Sequence, residues 1–236
     1  RNGGFSKKPF NTLNCSTSLG DSVSNVKKNI KLALNILNLK KNNLIIGNQI
    51  HSNKVILIDN NTNLNNNHIA DGFVTANKNI NLGILTADCA PVFFYDPLLK
   101  IIGAAHAGWR GSYHNICKSI VKSMIKLKSN PKNIKVIIGP HINFKNYEVN
   151  KKFYLKFTKD KIIYKKFFYK DGLDKYYFSL SAILQYQLKK LRVVDVCHIN
   201  EDTYSNKRKY FSHRRSYHLN ESKTGRMINI IGFLND

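Results

Sequence analysis

Apolar residues at Val23, Val26, Ile30, Leu34 and Leu37 recur at the spacing that lines one face of a helix, and Asp21 or Ser22 stands where its first turn needs a cap. The pattern then shortens. Leu44–Ile46 and Val55–Ile58 read as strands, separated from the next apolar block by an Asn-rich loop over Asp59–His68 that is too polar to bury. Between Gly72 and His106 come four brief apolar runs, Phe73–Thr75, Leu82–Thr86, Val92–Tyr95 and Ile101–His106, as expected of strands covered on both faces. Helical spacing returns over Ser112–Lys128, with Ile116, Ile120, Met124 and Leu127 on one side and Pro131 beyond the end. Val136–Ile138 reads as a strand closed by Gly139-Pro140. Ser179 is placed to cap a helix carrying Leu180, Ile183, Leu184, Leu188 and Leu191, and Val193–His198, Tyr210–Ser212 and Met227–Ile231 read as the last strands.

Strands and helices interleave irregularly, with no visible linker and no repeat. The pattern predicts a mixed α/β (α+β) fold, residues 1–236 forming one compact domain of packed mixed sheets flanked by helices. No apolar run approaches the roughly 18–20 residues of a spanning helix, and no basic-then-apolar leader is present, so no membrane partner is expected. The four cysteines are scattered without a Cys-x-x-Cys pair, which is neither a zinc-finger spacing nor a secreted disulfide framework. A reducing cytoplasm is the expected compartment.

A formal net charge of +24 invites a nucleic-acid reading. Against it, only seven of the 38 basic residues are arginine, the usual base and phosphate reader, and the lysines are spread over every segment. The charge is expected to be a solvated surface.

Three segments carry candidate chemistry. In Ile102–Gly111 an apolar strand ends at His106, and Gly108 and Gly111 permit a tight turn around Trp109 and Arg110. The free N–H groups of the following helix, with Arg110, suit an anion; the plainer account is a turn that needs glycine, with Arg110 in a surface ion pair. Asp88-Cys89 places a carboxylate and a thiol between apolar runs. A lone buried cysteine is usually inert filling, yet an ionisable group there needs a reason. His51 follows a short strand. Together His51, Cys89 and His106 make a three-ligand set for Zn²⁺ with a position left for water, and Gln49, Asp71 or Asp88 could orient a ligand imidazole. His213 stands beside Arg214 and Arg215, two adjacent arginines that are unusual in a lysine-rich chain and could bring it to the pocket; a structural ion-pair role is the plainer expectation.

The segments Asn48-Gln-Ile-His51, Ala70-Asp-Gly-Phe-Val-Thr75, Ala87-Asp-Cys-Ala-Pro-Val92 and Ala105-His-Ala-Gly-Trp-Arg-Gly111 resemble those of the YfiH-like proteins. So do Ile138-Gly-Pro140, Tyr147-Glu-Val149, Phe211-Ser-His-Arg-Arg215 and Thr224-Gly-Arg226, and the match runs from about Gly4 to Gly232. That family, once named polyphenol oxidases or laccase-domain proteins, is regarded as purine nucleoside phosphorylases with adenosine deaminase activity. The resemblance implies that His51, Cys89 and His106 are the metal-binding and catalytic triad, zinc ahead of copper. It also implies that purine nucleosides (adenosine, inosine, guanosine, methylthioadenosine) and inorganic phosphate bind beside them, with Arg110, Asn14, Gln49 and Asp88 as substrate or phosphate contacts. Two departures bear on phosphate use: Asn29-Ile30 where relatives often have Asn-Arg, and Lys145-Asn146 where many have cysteine. The older laccase label implies a trinuclear copper cluster rich in His-x-His, and none of the 8 histidines forms such a pair. Two other functions use the same sequence: a metal-free thiol hydrolase with Cys89 as nucleophile and His106 as base, and a non-catalytic, basic RNA-binding protein.

Overall fold

Helix α1 (Val23–Ile36) starts where Ser22 accepts a hydrogen bond from Asn25 N and buries Val26 and Leu34, the middle of the apolar stripe. A computed structural model describes residues 1–39, 43–63, 67–159 and 161–234; residues 64–66 of the expected Asn-rich loop lie outside it. Six strands follow: β1 (Leu44–Ile46), β2 (Val55–Ile58), β3 (Gly72–Thr75), β4 (Asn81–Thr86), β5 (Ala90–Asp96) and β6 (Ile101–Ala107). All lie within a residue or two of the apolar runs. Next come α2 (Trp109–Tyr113), α3 (Ile116–Lys126), β7 (Lys135–Ile138), β8 (Glu148–Asn150), α4 (Lys151–Thr158), β9 (Phe168–Asp171) and β10 (Lys175–Phe178). The described chain ends with α5 (Leu180–Lys190), β11 (Asp195–His198), α6 (His213–His218) and β12 (Met227–Ile231).

A six-stranded mixed sheet in the order β11-β7-β5-β6-β3-β2 is the backbone of the fold, and a three-stranded sheet β1-β4-β12 packs on one of its faces. Ile45, Leu82 and Ile84 of the smaller sheet meet Phe73, Ile102 and Ala104 of the larger. On the other face α3 and α5 press Ile116, Ile120, Met124, Ile183, Leu184 and Leu188 onto Val74, Val92, Phe94 and Ala105. Each such side chain contributes about 1.5–3 kcal/mol when fully buried. Gly72 and Gly103 let α3 sit this close, because a Cβ at either would come within 3.0 Å of the Ile120 side chain. The mixed α/β architecture of packed sheets and flanking helices is the one expected.

Two expectations are corrected. The helix expected over Ser112–Lys128 is two helices, broken where Asn115 takes left-handed backbone (φ 58°) and caps α3 by accepting from Lys118 N. The strand expected at Tyr210–Ser212 is absent: Ser212 instead caps α6, accepting from Arg215 N. A third, antiparallel sheet, β8-β10-β9, had no counterpart in the apolar pattern.

Candidate functional site

Strand register builds the site. In the β5–β6 pair Ala90 lies opposite Ala107 and Pro91 opposite His106, so Cys89, one residue before β5, falls beside the end of β6. In the β3–β6 pair Gly72 lies opposite Ala105, which brings Asp71 level with His106. Val55 of β2 pairs with Gly72, and so the 50–54 loop returns past Asp71. One ligand atom each from His51, Cys89 and His106 lie within 4.8 Å of one another, and this is the one such group among the described residues. The two imidazoles meet edge to face, ring centroids 4.8 Å apart.

Asp71 organises the trio. Its Oδ1 accepts from His51 N (2.9 Å) and lies 2.8 Å from His106 Nδ1, while Oδ2 accepts from Ile50 N, Ser52 N and Ser52 Oγ. His106 is thereby left with Nε2 to offer the site. Burial alone would raise the Cys89 thiol, but the charge of His106, hydrogen bonds from both imidazoles and the charge of His51 outweigh it and hold the thiol down at about 6. Burial would likewise discharge His106, yet Cys89 and Asp71 raise it to about 9. Asp71 is itself held below the usual carboxylate range: burial opposes this, and the bonds from His106 and Ser52 prevail. Thiolate and imidazolium therefore face each other at neutral pH.

The donor set fits a metal. A thiolate and two imidazoles, two from loops and one from the end of β6, with the His106 ring oriented by a carboxylate, are the ligand chemistry of zinc sites with an open position. The backbone makes room for them: a Cβ on Gly108 would stand 2.8 Å from Cys89 Sγ. A multicopper centre would need further histidine groups, and the described residues hold none beyond this trio.

The trio opens into a cleft of 1270 Å³. Ile30, Ile46, Leu85, Trp109, Tyr147 and Phe153 supply apolar lining. Of the expected contacts, Gln49, Asp88 and Arg110 reach its wall. Gln49 spends both ends of its amide on Leu85, donating to O and accepting from N at 2.8 Å. Asp88, at φ 82°, accepts from Thr203 Oγ1, Ser212 Oγ and Arg214 N, tying the Cys89 turn to α6. Asn14 is buried away from the wall; its amide bonds Ser16, Asp21 and Arg226 N. Arg110 is exposed, its guanidinium 4.6 Å from the Trp109 ring centroid, and α2 beneath it is only five residues long.

Tyr147, Arg214 and Arg226, for which the sequence suggested no role at the cleft, line it, and so does His213, for which the pocket was the less expected of two places. A signal was available, since three of the seven arginines in this lysine-rich chain, Arg110, Arg214 and Arg226, reach the cleft. The ion pairs expected for Arg214 and Arg215 are carbonyl clamps instead: Arg214 donates to Glu148 O, and Arg215 to Thr203 O, Tyr204 O and Tyr210 O.

Residues 1–234 match the family described as multi-copper polyphenol oxidoreductase laccase. A purine nucleoside phosphorylase of Rickettsia prowazekii is 41% identical over 186 residues, 76% of this chain and 74% of that protein. Purine nucleoside phosphorylase YlmD of Bacillus subtilis is 31% identical over 98% of this chain and 86% of its own length. Among solved structures, the hypothetical protein YfiH of Bacillus licheniformis superposes with a TM-score of 0.90 at 28% identity, covering 98% of this chain and 90% of that one. YlmD of Geobacillus stearothermophilus gives 0.88 at 25% identity, covering 99% and 89%.

Proposed function

We infer from one premise, that this chain belongs to the laccase-domain family of YfiH and YlmD, that it is a metal-dependent purine nucleoside phosphorylase that also deaminates adenosine. The observation that carries the reading is the convergence of His51, Cys89 and His106 at the head of a cleft large enough for a nucleoside and phosphate together. These three residues would hold the metal, with zinc the best match to one thiolate and two imidazoles. When bound, the metal supplies Lewis-acid polarisation of an oxygen atom.

The chain's own residues do the rest. Asp71 fixes the His106 ring and, through three backbone N–H groups, the loop that carries His51. Trp109, Tyr147 and Phe153 give the purine an apolar wall and keep water from its face. Arg110, exposed at the cleft wall, draws anionic phosphate inward. In phosphorolysis a phosphate oxygen bonds to ribose C1′ as the C1′–N9 bond breaks through an oxocarbenium-like state, and the base departs with a proton. Asp71, held below the usual carboxylate range, accepts from five donors and has no proton to give, and the Asp88 carboxylate is taken up by Thr203, Ser212 and Arg214 N. We assign the donation to a water molecule. In deamination, water replaces the amine at C6 and ammonia leaves. Adenosine incubated with the zinc-loaded protein should give adenine and ribose 1-phosphate when phosphate is present, and inosine and ammonia when it is absent. Neither product set from metal-loaded protein ends the proposal.

One geometry favours a second reading. The chain Asp71–His106–Cys89 has the order of an oriented base beside an activated thiol. Chelation separates the two: EDTA-treated protein keeps its turnover as a thiol hydrolase and loses it as a metal enzyme.

A further inference from the structure

Besides the imidazoles of the trio, five cationic or imidazole side chains line the cleft: Lys27, Arg110, His213, Arg214 and Arg226. Their surroundings differ. Lys27 and Arg110 are exposed, and Arg110 rests against the Trp109 ring. Arg214 donates from Nη1 to Glu148 O at 2.8 Å and lies over Tyr147. Arg226 is half-buried, as Arg214 is. Among the described residues its guanidinium donates from Nη1 alone, to Thr224 O and Gly225 O at 3.1 Å. No carboxylate of the described residues stands within ion-pair distance of it.

A half-buried guanidinium without a counter-charge loses part of its hydration with no ion pair to offset it. The fold nevertheless holds this one in place. Its backbone N donates to Asn14 Oδ1 at 2.8 Å, and its carbonyl accepts from Cys15 N at 3.0 Å. Asn14 is in turn fixed by Asp21 and by Asn29, which donates to its carbonyl at 2.7 Å. The charges Arg226 senses are those of Cys89 and Asp88, and the Asp88 carboxylate is already shared among Thr203, Ser212 and Arg214 N. His213 stands on the same wall and senses Arg226, Asp88, Arg214 and His51. The result is a backbone-anchored cation lining the same cleft as the trio and the exposed His213 imidazole, with Nε and Nη2 uncommitted and no carboxylate of the described residues in ion-pair reach.

We propose that Arg226, with His213 beside it, is the seat of a tetrahedral oxyanion, and that Arg110 at the cleft wall is not. Its identification as the inorganic phosphate of phosphorolysis rests on the function proposed above; the binding of an oxyanion does not. A planar fork with free Nε and Nη2 suits two oxygens of such an ion, where a lysine would offer a point charge.

The test uses inorganic phosphate titrated calorimetrically into the zinc-loaded protein without nucleoside, at about 150 mM KCl to screen diffuse attraction. Arg226→Gln should weaken phosphate binding by at least about tenfold, Arg226→Lys by less, and Arg110→Gln by less than about threefold. Arg192→Gln, remote from the cleft, controls for lost net charge. Phenylglyoxal labelling of the unaltered protein, read by peptide mass, covers the case in which the Arg226 variants misfold: phosphate should shield Arg226. Unchanged phosphate affinity in Arg226→Gln, shielding of Arg110 in place of Arg226, or no phosphate binding by the unaltered protein each overturns the proposal. Phosphate bound at Arg226 without any nucleoside turnover would sink the functional reading and leave this one standing. Turnover with an unchanged KM for phosphate in Arg226→Gln would do the reverse.

Discussion

Gly108 and Asp71 build the candidate centre without being ligands, and each can be tested alone. Gly108 has φ −82°, a backbone that alanine adopts freely, so Gly108→Ala adds only a methyl group. That methyl would stand 2.8 Å from Cys89 Sγ and 3.5 Å from His51 Cδ2. We expect Gly108→Ala to weaken zinc binding by about tenfold or more, the scale on which misplaced ligand support acts, with little change in melting temperature. Zinc affinity unchanged in a chelator competition would show that the trio is not held as described. Asp71→Asn is a harsher change. Each carboxylate oxygen takes at least two donors, so whichever side becomes the amide nitrogen faces N–H groups. The expected cost is roughly 3 kcal/mol in urea unfolding, with a 10–100-fold loss of metal affinity as His106 loses its orientation.

Helices α2 and α3 show how one side chain sets a boundary. Asn115 both occupies left-handed backbone and accepts from Lys118 N. Asn115→Ala loses the cap and strains the backbone, about 1 kcal/mol for each. Asn115→Gly keeps the backbone relaxed and should cost well under half as much; equal losses in urea titrations of the two variants would refute the left-handed cap. The same position explains why the break was not legible: Ile116, Ile120, Met124 and Leu127 continue an unbroken apolar stripe, and asparagine in a helix is unremarkable until its φ is known. Strands β1, β2 and β12, by contrast, were legible to the residue, because each apolar run is short and bounded by polar loop. Residues 147–178 were not. Phe153, Phe157, Phe168 and Phe178 pack on one another and join the main core, and aromatics mixed with lysines give no clean period in sequence. The trio could be assembled from its residue types as one plausible ligand set, and the resemblance singled it out. Asp71 reaches His106 across 35 positions through the β3–β6 register, and Arg226 reaches the cleft through its ties to Asn14 and Cys15; neither distance leaves a spacing to read.

At the scale of the whole molecule, buried ionisable groups fix the pH range over which the fold is stable. His141 is buried, with Nδ1 2.9 Å from Gly139 O and its ring 5.2 Å from that of His198. Burial pushes it down to about 4, whereas in an unfolded chain it titrates near 6.5. Between those values the unfolded state binds more protons, so stability falls as pH drops from about 6.5 toward 4, by at most about 1.4 kcal/mol per pH unit from this one group. At the other end burial raises the thiols of Cys15 and Cys117 to about 12. Unfolded cysteines ionise near 9, so the native state there keeps protons that the unfolded chain releases, and stability falls as pH rises above about 9. In the metal-free protein Cys89 and His106 add little between these limits: the lowered thiol favours folding as pH rises, and the raised imidazole opposes it over the same range. Thermal unfolding of metal-free protein at constant ionic strength should therefore show a plateau from about pH 6.5 to 9, with a decline on each side. Protonation of the other histidines also increases self-repulsion in a chain already at +24, so the acid decline alone does not identify its source. His141→Gln isolates it by removing the titrating ring and leaving the remaining charge nearly the same. The variant should start from a lower plateau and lose less stability than the parent between pH 6.5 and 4.5; two parallel acid limbs would assign the decline to net charge and not to His141.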